Sequence, residues 1–281
     1  MKLLHVKIEM IILIKKKGLR FMKKINLYRQ LYFIILSFVL CSASFAQSSN
    51  SVFQYSVISA LLEGVYNGSL TIDEVSSHGD FGLGTFNHLD GELVLLDGKV
   101  YQVTGKGDVN IIPGETLTPF AVVTFFKADE SNNISNLLSY KELQSFLDEM
   151  LPGLNTVYAI KIEGTFSYMK TRSINAQQKP YKKLVEVTKG QSVFEFENIE
   201  GTMVGFRFPA YTEGINVPGY HFHFISVDKK SGGHVLDLKI SDVNAETAKQ
   251  DNLCISFPGN EDFLNADLSG KNVLDLNEAE K

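Results

Sequence analysis

Apolar positions follow two rhythms along this chain. In the first half, Phe53, Val57, Ile58, Leu61 and Leu62 recur at helical spacing, and Tyr66-Asn67-Gly68 closes the run with a turn. Thr71-Ile-Asp-Glu74 has capping-box spacing and predicts a second, short helix. Asp97-Gly98 between the apolar runs 92–96 and 99–103 predicts a two-residue hairpin. Residues 118–126 (TPFAVVTFF) read as a buried strand by their β-branched and aromatic content. The strongest helix signal is 139–151. Ser139 and Glu142 form a capping box, Leu143, Phe146, Leu147, Met150 and Leu151 make one apolar face, and Pro152-Gly153 stops it.

Beyond that point the signals are those of strands, at 157–162, 165–169, 184–188, 193–197, 202–208, 221–227 and 235–240. A helix-bearing first half and a strand-rich second half predict an α/β protein of the α+β type. The expected organisation is an N-terminal extension (1–46), an N-terminal subdomain (47–152) and a strand-rich C-terminal subdomain (153–281).

Composition adds a core and subtracts some partners. With 281 residues, 44% of them hydrophobic and 21% charged, the chain can bury a sizeable interior, and collagen-like, coiled-coil and wholly disordered readings are excluded. Charge is unevenly placed. Residues 1–46 hold nine Lys/Arg and one acid, so the remaining 235 carry 18 basic and 31 acidic groups, a net of −13. An acidic body without a basic stripe argues against a nucleic-acid partner.

The basic start has another explanation. Met22–Arg29 is a positively charged segment, 31–40 (LYFIILSFVL) is a ten-residue apolar run, and Ser44-Phe-Ala46 supplies small residues where a signal peptidase reads. A signal peptide cleaved after Ala46 is the expectation, with the product exported to a periplasm or beyond the cell. Ten apolar residues fall short of the roughly 20 that span a bilayer, so no stable membrane insertion is expected after cleavage. Residues 1–21 read as surplus before a start at Met22. A lipoprotein reading of Cys41 is disfavoured by the bulky Leu40 before it. Cleavage leaves Cys254 alone, which excludes an intramolecular disulfide; between Leu253 and Ile255 it reads as a small core residue.

The sharpest chemical feature is His221-Phe-His223-Phe. On a strand, positions i and i+2 share a face, so both imidazoles project together while the phenylalanines point the other way. His234 follows a Lys229-Lys-Ser-Gly-Gly233 turn, and the parity puts it on the same face of the next strand. A tight hairpin, however, sets His234 opposite Val227, roughly 13 Å along the strand from His223. Three nitrogens on one ion must each lie about 2.0–2.1 Å from it, so the reach needs a longer loop, a bulge or strong coiling. Three imidazoles within 14 residues favour a metal, with zinc the natural choice and coordination positions left open for substrate. The competing reading is that they merely satisfy hydrogen bonds in a sheet. His78 and His88 sit in loops. By spacing alone Glu92 and Arg172 are ordinary surface charges. Gly79–Gly84 (GDFGLG) fits neither a dinucleotide nor a P-loop pattern, and no Gly-x-Ser-x-Gly elbow is present.

Residues 79–102 (GDFGLGTFNHLDGELVLLDGKVYQ), 219–226 (GYHFHFIS), 232–237 (GGHVLD) and the final Ala279-Glu280 together resemble bacterial α-acetolactate decarboxylase, in order and spacing, over nearly all of 50–281. The resemblance implies two subdomains built on mixed β-sheets, with the active site in the cleft between them, and a family that is often dimeric, which makes a homodimer a candidate assembly. It implies zinc on His221, His223 and His234, an active-site glutamate at Glu92, an arginine at Arg172 and a C-terminal glutamate at Glu280, for which Glu278 is the alternative by a two-residue slip. Thr85 falls where the family lines its substrate pocket. The implied reaction is metal-dependent decarboxylation of (S)-2-acetolactate to (R)-acetoin and CO2 through a zinc-stabilised enediolate. Another zinc lyase, resembling carbonic anhydrase through its His-x-His strand, or a non-catalytic zinc-binding module are the alternatives.

Overall fold

A computed structural model describes residues 50–136, 138–270, 276 and 278–279. The expected signal peptide, Cys41 and Glu280 lie outside the described residues.

Eight strands come first: β1 (Ser51–Tyr55), β2 (Leu70–Thr71), β3 (Phe81–Thr85), β4 (Glu92–Leu96), β5 (Lys99–Val103), β6 (Val109–Ile111), β7 (Leu117–Thr118) and β8 (Ala121–Thr124). Then follow β9 (Glu130–Ile134), β10 (Leu138–Ser139), β11 (Val157–Ser173), β12 (Ser192–Phe208), β13 (Gly219–Ser226), β14 (Gly232–Gln250) and β15 (Asn252–Ser256). Among the described residues these α-helices punctuate them: α1 (Ile58–Leu62), α2 (Ile72–Ser76), α3 (Tyr140–Met150), α4 (Leu184–Val187) and α5 (Glu261–Leu264). The fold is α+β, dominated by sheet.

One sheet has seven strands in the order β15-β1-β8-β3-β4-β5-β6, antiparallel except where β1 runs parallel to β15. The second joins β10, β14, β11, β12 and β13, and closes on itself. β11 pairs with both β12 and β14, and β13 pairs with both β12 and β14, making a four-stranded ring. The free side of β14 is shared in succession by β13, β10 and β9. Because β9, β10 and α3 belong with the ring while β15 returns to the seven-stranded sheet, each sheet draws residues from both sides of Pro152-Gly153.

Alternation assigns the core. On β4, Leu93 and Leu95 face a cluster with Val75 of α2, while Val94 and Leu96 face the ring and meet Val204 and Phe206 of β12. With both faces covered, the strand reads as a continuous apolar run. Inside the ring, Phe222, Phe224, Met203 and Leu238 pack with Leu143 and Leu147 of α3.

Both capping boxes form as expected, at Thr71/Glu74 and Ser139/Glu142. The β4–β5 hairpin turns through Asp97 and Gly98 at φ +52° and +72°, the left-handed pair that a two-residue turn demands. Three expectations are corrected. Residues 53–55 belong to strand β1, and the helix starts only at Ile58; β1 is buried on both faces, so its periodicity does not separate strand from helix. Residues 184–187 form a helical turn that buries Leu184 and Val187, despite their β-branched company. Cys254 lies exposed on the edge strand β15, not in the core. Among the described residues no helix is long and apolar enough to cross a membrane.

Candidate active site

Strand β13 carries His221 and His223 on its face toward the seven-stranded sheet, with Phe222 and Phe224 directed into the ring core. The connection to β14 is wider than a tight hairpin. Ile225 pairs with Gly232, and the intervening residues are gathered by Ser226, whose amide donates to the Ser231 carbonyl and whose Oγ accepts from the amides of Lys230 and Ser231. His234 therefore sits directly opposite His223 rather than opposite Val227, and the apparent reach problem disappears. On its other side His234 pairs with Arg172 of β11, so all three histidines and the arginine share one face. Gly233 makes this register possible: its φ is +129°, and a Cβ there would stand 2.5 Å from the Arg172 carbonyl oxygen.

The three imidazoles are buried and offer nitrogens that all lie within 4.8 Å of one another. His221 Nε2 and His234 Nδ1 are 3.1 Å apart, near the roughly 3.4 Å that tetrahedral bonds of about 2.05 Å to one ion require. His223 Nδ1 stands 2.8 Å from the Leu93 carbonyl of β4. A carbonyl can only accept, so Nδ1 carries the proton and Nε2 presents its lone pair, the outer-shell arrangement that fixes a metal-ligating tautomer. Burial, reinforced by the Arg172 cation, pushes His221 down to about 3. Burial and then His221 hold His223 well below the ordinary histidine range, with the Leu93 bond acting the other way. Three buried imidazoles, with the His223 tautomer fixed by the facing sheet, are a donor set that suits zinc.

The same depression makes acid sensitivity predictable. In chelator-treated protein, unfolding lets His221 and His223 each take a proton below about pH 6.5 that the fold refuses until far lower pH. Stability should therefore fall as pH drops from 6.5, by up to about 1.4 kcal/mol per pH unit per histidine. A melting temperature at least about 5 °C lower at pH 5 than at pH 6.5 is expected; a flat profile would contradict it, and zinc loading should oppose the fall.

Facing the histidines from the other sheet is Glu92, first residue of β4 and buried. Its carboxylate lies 3.3 Å from Arg172 Nη1 and 3.4 Å from His223 Nε2. Arg172, equally buried, also donates through Nη2 to the Ala279 carbonyl at 3.1 Å. The C-terminal segment thus reaches the site at the residue before Glu280, whereas Glu278 is exposed. Thr85 borders the same cavity as Glu92, and its Oγ1 donates to the Gly91 carbonyl at 2.7 Å, bracing the turn before Glu92. Ile58, Leu61 and Leu184 form an apolar wall; sequence reading did not single them out for this, because nothing distinguishes them from core residues. His78 stacks on Phe53 and His88 is exposed beside Tyr181, both away from the cluster.

Converging ionisable groups, buried at the junction of two sheets around a cavity that also has an apolar wall, mark an enzyme active site, in which the three histidines could hold a metal ion. The chain belongs to the alpha-acetolactate decarboxylase family, whose model matches residues 52–270. It is 46% identical to the alpha-acetolactate decarboxylase of Methanosarcina mazei over 83% of this chain and 81% of that protein. The Bacillus subtilis alpha-acetolactate decarboxylase is 40% identical over 79% of this chain and 87% of its own length. A crystal structure of the alpha-acetolactate decarboxylase from Bacillus subtilis strain 168 superposes with a TM-score of 0.81 at 38% identity, covering 82% of this chain and 99% of that one.

Proposed function

We propose that the protein decarboxylates (S)-2-acetolactate to (R)-acetoin and CO2, with zinc held by His221, His223 and His234. The observation that carries this reading is the buried three-histidine cluster set against the Arg172–Glu92 pair in a chain of this family.

In the reaction the bond between C2 and the carboxylate breaks, its electron pair passes into the adjacent ketone, and CO2 leaves. One proton returned to C2 completes acetoin. When bound, zinc would supply Lewis-acid stabilisation for the negative charge that develops on the vicinal hydroxyl and ketone oxygens. Arg172 holds the substrate carboxylate through its planar fork. Its guanidinium is too weak an acid to donate directly, so a water beside it relays the proton to one face of C2. Glu92 fixes the guanidinium and, with Glu280, orients substrate. Thr85 shapes the pocket through Gly91. Residues 47–281 would act as the exported form after loss of the signal peptide, and as a homodimer.

The test is acetoin formed from racemic 2-acetolactate, measured above the spontaneous background by protein purified without added metal. Chelator-sensitive formation restored by zinc supports both the reaction and the ion. A folded, zinc-loaded protein that makes none would overturn the reading and favour another zinc lyase or a zinc-binding module.

A further inference from the structure

As β11 ends, three consecutive residues are each tied to the opposite sheet. Arg172 Nη1 donates to Glu92 Oε1 at 3.3 Å, Ser173 Oγ donates to the Val103 carbonyl at 2.7 Å, and the Ile174 carbonyl accepts from the Gly91 amide at 3.0 Å. Val103 is the ladder partner of Glu92 on β5, and Gly91 is the residue before it. The ion pair therefore stands inside a bracket of two shorter bonds, and Ser173 is fully buried.

The placement of that bracket matters physically. Each sheet fixes its own strands through its ladders, but the gap between packed sheets is set by side chains and is the softer dimension. Arg172 and Glu92 come from opposite sides of this gap, on flexible stems. A hydroxyl-to-carbonyl bond near the ideal length is directional and short, so it defines the gap better than the ion pair can.

We propose that Ser173 is a positioning residue: its bond to the Val103 carbonyl sets the separation of the sheets at the Arg172–Glu92 pair, and through it the place of the guanidinium over the histidine cluster. This rests on the decarboxylase reading and deepens it. Ser173 acts through Arg172 and Glu92, and a misplacement of about 1 Å at such a group can cost two orders of magnitude in rate.

The experiment is a double-mutant cycle of Ser173→Ala with Glu92→Gln, reading kcat/KM, zinc per chain and melting temperature. Ser173→Ala alone should lower kcat/KM about tenfold or more with zinc content unchanged, yet cost less than twofold when Glu92 is already Gln. Unchanged kinetics, or a loss that multiplies with that of Glu92→Gln, overturns the proposal. Should the alanine variant not fold, Ser173→Cys keeps the volume with a weaker donor and is judged by the same criteria. Calorimetric titration with 2-hydroxy-2-methylbutanoate, which has the hydroxyl and carboxylate but no ketone, separates the two readings. If the wild type makes no acetoin, the reaction assignment falls. The titration still decides Ser173, because weaker binding that disappears in the Glu92→Gln background supports the bracket and equal binding removes it.

Discussion

Arg172→Ala is expected to keep its zinc and lose about a thousandfold in kcat/KM. Two losses combine. The substrate carboxylate loses the fork that orients it, and the charge developing at the reacting carbons loses a buried cation; removing one such preorganised donor typically costs about 10²–10³-fold. None of the three clustered histidines is touched, so metal per chain should match the wild type. Stability will also suffer, because Glu92 stays buried without its guanidinium and breaking a buried pair costs about 3–5 kcal/mol. Rates must therefore be compared below the variant's melting transition. Arg172→Lys restores the charge but not the planar fork and should recover only a small part of the activity. Turnover within tenfold of wild type in Arg172→Ala would remove this residue from the mechanism.

His223→Ala should be the more damaging change, because this side chain has two duties. Its Nε2 belongs to the donor set, and its Nδ1–H satisfies the Leu93 carbonyl of the facing sheet. The variant is expected to purify with less than a tenth of the wild-type zinc and to form acetoin at the spontaneous rate. Its fold loses about 0.5–1.5 kcal/mol from the missing hydrogen bond to Leu93. His223→Gln, able to donate to Leu93 but a poor zinc ligand, should regain stability without activity. Zinc-free protein that still turned over substrate would separate the histidine cluster from the reaction.

How much of this was legible beforehand differs residue by residue. The shared face of His221 and His223 follows from backbone alternation alone, and the capping box at Ser139 is a local event; both could be read directly. The register of His234 could not, since it depends on how Ser226 gathers residues 227–231, a loop conformation that periodicity does not encode. Arg172 and Glu92 looked like ordinary surface charges because their meeting is between sheets, across 80 positions of sequence; only the family resemblance pointed to them. Phe53 misled because burial on both faces erases the difference between period 2 and period 3.6. Cys254 misled because its apolar neighbours say nothing about an edge strand.

The closure of the ring has a consequence for how long the folded protein lasts. β13 and β14 are joined by only three residue pairs, and one of them is His223 with His234. A hoop parts first at its shortest seam, and here the seam is riveted by the same side chains that would grip the ion. Affinity for metal would thereby be converted into resistance to unzipping. Depletion of metal should shorten the lifetime of the native state along with its catalysis, so that inactive apoprotein is also the form most readily cleared.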